Sequence, residues 1–155
     1  MFGIAILDLR QKKLVLGRDR LGKKPLYYTC LPGGRLAFAS ELKCLFEVPG
    51  FEPKVSRQAT HDYFALGYVP APASIYEGVH KLPPAHCLVA RGGEVSLHRY
   101  WQPEFGPKWT ADEATLQRQL LEQIEDAVRV RLVSDVPFGA FLSGGTDSSV
   151  VAALM

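Results

Sequence analysis

Hydrophobic positions in the first hundred residues come in short runs separated by polar turns. FGIAIL at 2–7 gives way to DLRQKK, and LVLGRD returns at 14–19, so the two runs predict a hairpin. KKPLYYTC keeps strand-like composition, LPGGR is a tight turn and LAFAS runs back, which predicts an antiparallel meander. SELKCLF at 40–46 predicts a short helix, with Ser40 as N-cap and Pro49-Gly50 as its stop. A second helix is expected in SRQATHDYFALGY at 56–68, with apolar Ala59, Tyr63, Phe64 and Leu66 and with Gly67 closing it. The proline-rich VPAPASIYEGVHKLPPAH reads as an extended, ordered loop. HCLVARGGEVSLHRYW then alternates on both sides of Arg91-Gly92-Gly93-Glu94, the clearest hairpin in the chain.

The pattern shifts at QPEFGPKW, whose two prolines and glycine predict a linker over 101–109. It separates a domain at 1–100 from a second part at 110–155. TADEATLQRQLLEQIEDAVRVRLV predicts a long helix with Thr110 and Glu113 as a capping box. Leu116, Leu120, Ile124 and Val128 recur every fourth residue and give it one apolar face. Pro137 ends it, FGAFL reads as a buried strand, and a glycine turn leads into a further helix. Helix, strand, turn, helix is the order of an α/β domain rather than of the preceding sheet.

Composition narrows the function classes. Of 155 residues, 47% are hydrophobic and 22% charged, as in a folded globular protein. A net charge of +2 argues for neither a nucleic acid nor a membrane surface. No apolar stretch approaches the roughly 20 residues that span a bilayer, and the start, MFGIAILDLR, lacks a signal-peptide layout. Cys30, Cys44 and Cys87 form no CxxC pair, and His61, His80, His86 and His98 show no ligand spacing with them. They read as ordinary thiols and imidazoles of a reducing cytoplasm, with no metal site.

The chemistry concentrates in FGAFLSGGTDSS at 138–149. A turn from a strand into a helix exposes backbone N–H groups, which together with the helix dipole attract an anion. Gly144 and Gly145 let backbone approach a phosphate, and Ser143, Thr146, Ser148 and Ser149 add hydroxyls. Asp147 would repel phosphate unless a cation lay between, a position suited to Mg²⁺. The loop lacks the lysine and spacing of GxxxxGK[ST], which serves transfer of a terminal phosphate, and the chain has no GxGxxG. On composition alone the same residues also make a polar surface turn.

SDVPFGAFLSGGTDSSVVAAL resembles the start of the synthetase domain of glutamine-hydrolysing asparagine synthetases, whose SGGxDS loop grips pyrophosphate. GRDRLGKKPLYY with LAFASELKCL is similar to the second half of that family's glutaminase domain, and GYVPAPASIYEGVHKLPPAHCLV to its end. The implied fold is an α+β antiparallel sheet, a partial N-terminal nucleophile hydrolase sandwich. It is followed by the first helix-strand-loop-helix of an α/β ATP-pyrophosphatase domain. The implied activity is that of an amidotransferase of asparagine biosynthesis. One domain cuts glutamine to glutamate and ammonia, the other adenylates the aspartate side-chain carboxylate with ATP and Mg²⁺, and ammonia displaces AMP. Its partners are then small molecules (glutamine, aspartate and ATP) rather than nucleic acid or membrane, with a homodimer in the full-length protein.

Residue by residue, Asp19 matches the family aspartate that binds the α-amino group of glutamine, although alone it reads as a surface acid between two arginines. Leu142 and Ser143 match positions that contact ATP. Gly144, Gly145, Asp147 and Ser148 match the pyrophosphate loop, with Asp147 holding Mg²⁺ through the pyrophosphate. FASE at 38–41 reads as structural. The family's N-terminal cysteine nucleophile has no counterpart, since Phe2 follows Met1 and the three cysteines are internal. Its glutamine-clamping arginine and Asn-Gly-Glu loop are absent too. The resemblance thus implies a chain that begins partway through the glutaminase domain, stops just after the phosphate loop, and lacks glutaminase activity and good behaviour in isolation. Two other readings stand beside it. One is a relative with another carboxylate acceptor, as in β-lactam-forming or exopolysaccharide-associated enzymes, and the other is a non-catalytic partner-binding module.

Overall fold

The two apolar runs at the start pair as expected. In the computed structural model, which describes residues 1–155, β1 (Gly3–Asp8) and β2 (Lys13–Arg18) are antiparallel from Gly3↔Arg18 to Asp8↔Lys13. β3 (Tyr27–Leu31) and β4 (Arg35–Ala39) form the next hairpin. A 3₁₀ turn over Leu42–Glu47, α1 (Arg57–Leu66), β5 (Val79–Lys81), β6 (His86–Arg91) and β7 (Glu94–Arg99) complete a first unit, Met1–Glu104. A second unit, Phe105–Met155, holds α2 (Glu113–Arg129) and α3 (Thr146–Leu154).

The first unit is α+β with antiparallel sheets, but the strands do not run on as one meander. Sheet order is β1-β2-β6-β7 in one and β4-β3-β5 in the other. β6 returns to β2 because Leu16 and Leu88 lie directly opposite each other and both are fully buried. Their cluster, with Leu26, Tyr28 and Leu82, takes side chains from both sheets and the segments joining them. β5 lies in the segment expected to be loop. Three residues pair with β3 from Thr29↔Val79 to Tyr27↔Lys81, and Val79 anchors a second cluster with Ala37 and Leu45. Burial of Leu45 also fixes the turn at 42–47. Glu41, not Ser40, precedes it, and no side chain caps it.

α1 follows its sequence signals closely. Ser56 Oγ accepts from the Ala59 N–H at 3.2 Å, and Gly67, at φ 78°, donates to the Tyr63 carbonyl at 2.8 Å. Only Ala59 of its apolar residues is buried; Tyr63, Phe64 and Leu66 are exposed. Ser56→Ala removes the cap and is expected to cost about 1 kcal/mol. The check is faster hydrogen exchange of the amides in the first turn of α1, with the strands unchanged.

In the second unit the cap of α2 is Asp112 rather than Thr110. Its carboxylate accepts from the Thr115 N–H at 2.9 Å and the Thr115 hydroxyl at 3.0 Å. An ionised acceptor at the positive end of a helix outcompetes a hydroxyl, and the Thr115 N–H holds this carboxyl below its usual range. FGAFL forms no strand. Phe138, Phe141 and Leu142 are exposed, because the unit contains no other strand to supply a ladder partner. Of the periodic positions in α2, Val128 is buried whereas Leu120 is exposed along an open apolar cleft of about 680 Å³. That cleft runs between α2 and α3, and residues 142–149 do not line it.

Candidate functional site

Arg18 ends β2, and Asp19 enters a turn that wraps around both side chains. The Arg18 guanidinium donates to three carbonyls, those of Lys24 at 2.8 Å, Gly22 at 2.7 Å and Leu82 at 2.7 Å. Asp19 is only 5% exposed. Its Oδ1 accepts from the N–H groups of Leu21 (3.3 Å) and Lys23 (3.0 Å), and its Oδ2 from those of Phe2 (3.2 Å) and Lys24 (3.0 Å). Burial alone would raise this carboxyl, but the donated backbone bonds outweigh it and lower the pKa from 3.8 to about 2. Its own backbone is held as well, by the Asp19 N–H donating to the Phe2 carbonyl at 2.9 Å and by its carbonyl accepting from Gly22 and Ala85 at 3.0 Å each.

A carboxylate offers about four acceptor positions, and here backbone donors take four. In this geometry the carboxylate is thus engaged by the turn itself. The residue is placed to hold the turn. The sequence carried no sign of this, since backbone N–H groups are the same at every residue and only the course of the chain at 21–24 aims them.

The glycine turn is built differently. Gly144 sits at φ +81°, which a side chain rarely adopts, whereas Gly145 is the N-cap of α3 with an extended backbone at φ −81° and ψ 158°. Ser148 Oγ donates to the Gly145 carbonyl at 3.0 Å and lies 2.9 Å from Ser143 Oγ, so the two hydroxyls form a short chain ending on that carbonyl. Ser149 bonds the same carbonyl through Oγ at 2.9 Å and through its N–H at 3.1 Å. The N–H groups of Thr146, Asp147 and Ser148 carry no intrahelical bond, and of these residues Thr146 and Asp147 are exposed and Ser148 half-buried. Leu142 is exposed and touches none of these groups by hydrogen bond.

Asp147 lies exposed in the first turn of α3, and its carboxylate makes no hydrogen bond or ion pair within the chain. No group of three or more His, Cys, Asp or Glu side chains is arranged to hold a metal ion. A Mg²⁺ at Asp147 would thus take most of its oxygen ligands from phosphate and water. The single free carboxylate fits that arrangement, because Mg²⁺ keeps several waters and favours sites shared with phosphates.

Comparison with known proteins bears on both turns. Residues 1–101 match the family model of the glutamine amidotransferase domain. The chain belongs to the glutamine amidotransferase family. Residues 119–155 match a second model, asparagine synthase, which takes in the turn at 143–149. A Methanocaldococcus jannaschii protein assigned to the glutamine-hydrolysing asparagine synthetases is 38% identical over all of this chain and 30% of its own length. A Bacillus subtilis asparagine synthetase (glutamine-hydrolysing) is 36% identical over 99% of the chain and 25% of its own length. A Gibberella zeae amidase is 35% identical over 99% of the chain and 23% of its length. The chain thus spans less than a third of the length of these relatives.

Proposed function

We propose that the whole protein carrying this chain is a glutamine-dependent asparagine synthetase, in which ATP drives adenylation of the aspartate side-chain carboxylate. Glutamine-derived ammonia then displaces AMP, and the other product of the first step is pyrophosphate. The observation that carries the reading is the turn at 143–149, with three free N–H groups at the start of α3, inside the segment that matches asparagine synthase. The relatives named as glutamine-hydrolysing asparagine synthetases cover essentially the whole chain, which supports the same reading.

The chain's own residues would act as follows. The N–H groups of Thr146, Asp147 and Ser148, with the dipole of α3, hold the β,γ-phosphates as one unit. Gly144 and Gly145 keep side chains off the approach, and Ser143 and Ser148 turn their hydroxyls from each other to the bound oxygens. Asp147 supplies one ligand to Mg²⁺. A Mg²⁺ held by Asp147 would supply neutralisation of phosphate charge. Asp19 keeps the turn of the glutaminase part in shape.

The test is pyrophosphate release by the whole protein. It is expected to require ATP, Mg²⁺ and aspartate, with asparagine formed when glutamine or an ammonium salt is present. Release driven by another carboxylate in place of aspartate would move the protein to a different acceptor. No release with any carboxylate would refute the ATP assignment.

A further inference from the structure

We propose that Ser149 is a positioning residue for ATP: by holding the Gly145 carbonyl, it leaves the Ser148 hydroxyl free to turn to a bound phosphate. The proposal rests on the function argued above and lies wholly within the second unit. The Gly145 carbonyl is the first acceptor of α3, and three donors converge on it. Ser149 supplies two of them, its N–H at 3.1 Å and its Oγ at 2.9 Å, and Ser148 Oγ supplies the third at 3.0 Å. A carbonyl oxygen has two lone pairs. The donors of Ser149 are enough to fill both, so the Ser148 hydroxyl is the one in excess.

The excess lowers what it costs Ser148 to move. Its hydroxyl turns about a single bond, and to donate to phosphate it must give up the carbonyl. With Ser149 in place the carbonyl keeps two partners through that exchange. Without the Ser149 hydroxyl, the N–H of residue 149 would be the one donor left, and each turn of Ser148 towards phosphate would strand a lone pair. Ser148 would then be held on Gly145 and on Ser143 Oγ, 2.9 Å away. The general role of a helix serine that bonds back four residues predicts the opposite sign. Such a bond slightly destabilises the helix, and alanine is the better helix former. On that account, removing the hydroxyl firms α3 and leaves ATP binding as it was.

Ser149→Ala, made in the whole protein, is expected to raise KM for ATP in aspartate-dependent pyrophosphate release about fivefold, the factor for one neutral hydrogen bond of about 1 kcal/mol. The rise in KM should exceed any fall in kcat. Ser149→Thr keeps the hydroxyl and should restore KM. Ser148→Ala weakens ATP binding by itself, and adding Ser149→Ala to it should change KM no further, since no Ser148 hydroxyl remains to be released. A wild-type KM in Ser149→Ala overturns the proposal. So does an equal loss from Ser149→Ala in both backgrounds, which marks a general effect on α3. If the unaltered protein releases no pyrophosphate from ATP, the proposed function has failed before any variant is compared, and the role of Ser149 falls with it.

Discussion

Asp19→Ala is expected to speed hydrogen exchange at the amides of Phe2, Leu21, Lys23 and Lys24 by roughly a hundredfold, equivalent to about 3 kcal/mol of local stability. The variant strands four backbone N–H groups that now donate to one ionised, nearly buried carboxylate. Each bond to a charged acceptor is worth more than a neutral one, and an N–H left unpaired in the interior also carries its desolvation cost. The four bonds share one group, so their losses do not add. Asp19→Asn keeps one carbonyl oxygen for donors from one side of the turn and should fall between wild type and alanine.

The acid dependence has a definite sign. Folding lowers this carboxyl from 3.8 to about 2, so ionised Asp19 favours the folded state. Its stabilisation is fully present above about pH 4 and is lost as pH falls through about 2. Protection of the four amides in the wild type should decline over that window, and in Asp19→Asn it should be flat there. Unchanged protection in Asp19→Ala, together with weakened glutamine binding by the whole protein, would return Asp19 to the ammonium contact that the family resemblance implies.

The contrast between Asp19 and the hairpins shows what residue types can report. Alternation around Gly92-Gly93 and the Ser56 and Gly67 signals of α1 act over a few residues, so the sequence contains both halves of each interaction. The return of β6 to β2 depends on Leu16 meeting Leu88 across a long separation, and no local pattern encodes which strand a strand will choose. FGAFL has the composition of a buried strand, yet a strand is a pairing, and the second unit offers nothing to pair with. Gly17-Arg18-Asp19-Arg20 reads as a charged surface turn for a related reason. Its burial is produced by backbone donors and carbonyl acceptors from other turns, which leave no trace in side-chain identity. The glycine turn was more legible because its requirement is conformational. Gly144 needs a positive φ, and glycine is the residue that meets it.

Gly144→Val is expected to lower kcat/KM for ATP in aspartate-dependent pyrophosphate release by about five- to 150-fold, the factor for about 1–3 kcal/mol of backbone strain. Space is not the obstacle: a Cβ at Gly144 would meet no atom within 4 Å. The obstacle is φ +81°, which a β-branched residue adopts only under strain. Relaxing that strain would rotate the peptide leading into Gly145 and re-aim the N–H groups that open α3. Gly145 makes the discriminating comparison. Its φ of −81° suits any residue, and a Cβ there would sit 3.6 Å from Ser143 Oγ, an ordinary contact. Gly145→Ala should therefore keep the free turn and α3 as they are. It should weaken ATP binding only to the extent that phosphate approaches the backbone closely enough to meet the added methyl. A loss in Gly144→Val with a smaller loss in Gly145→Ala marks a turn whose conformation presents the donors. Equal losses mark close approach at both positions. Wild-type kcat/KM in Gly144→Val would remove this turn from the ATP site altogether.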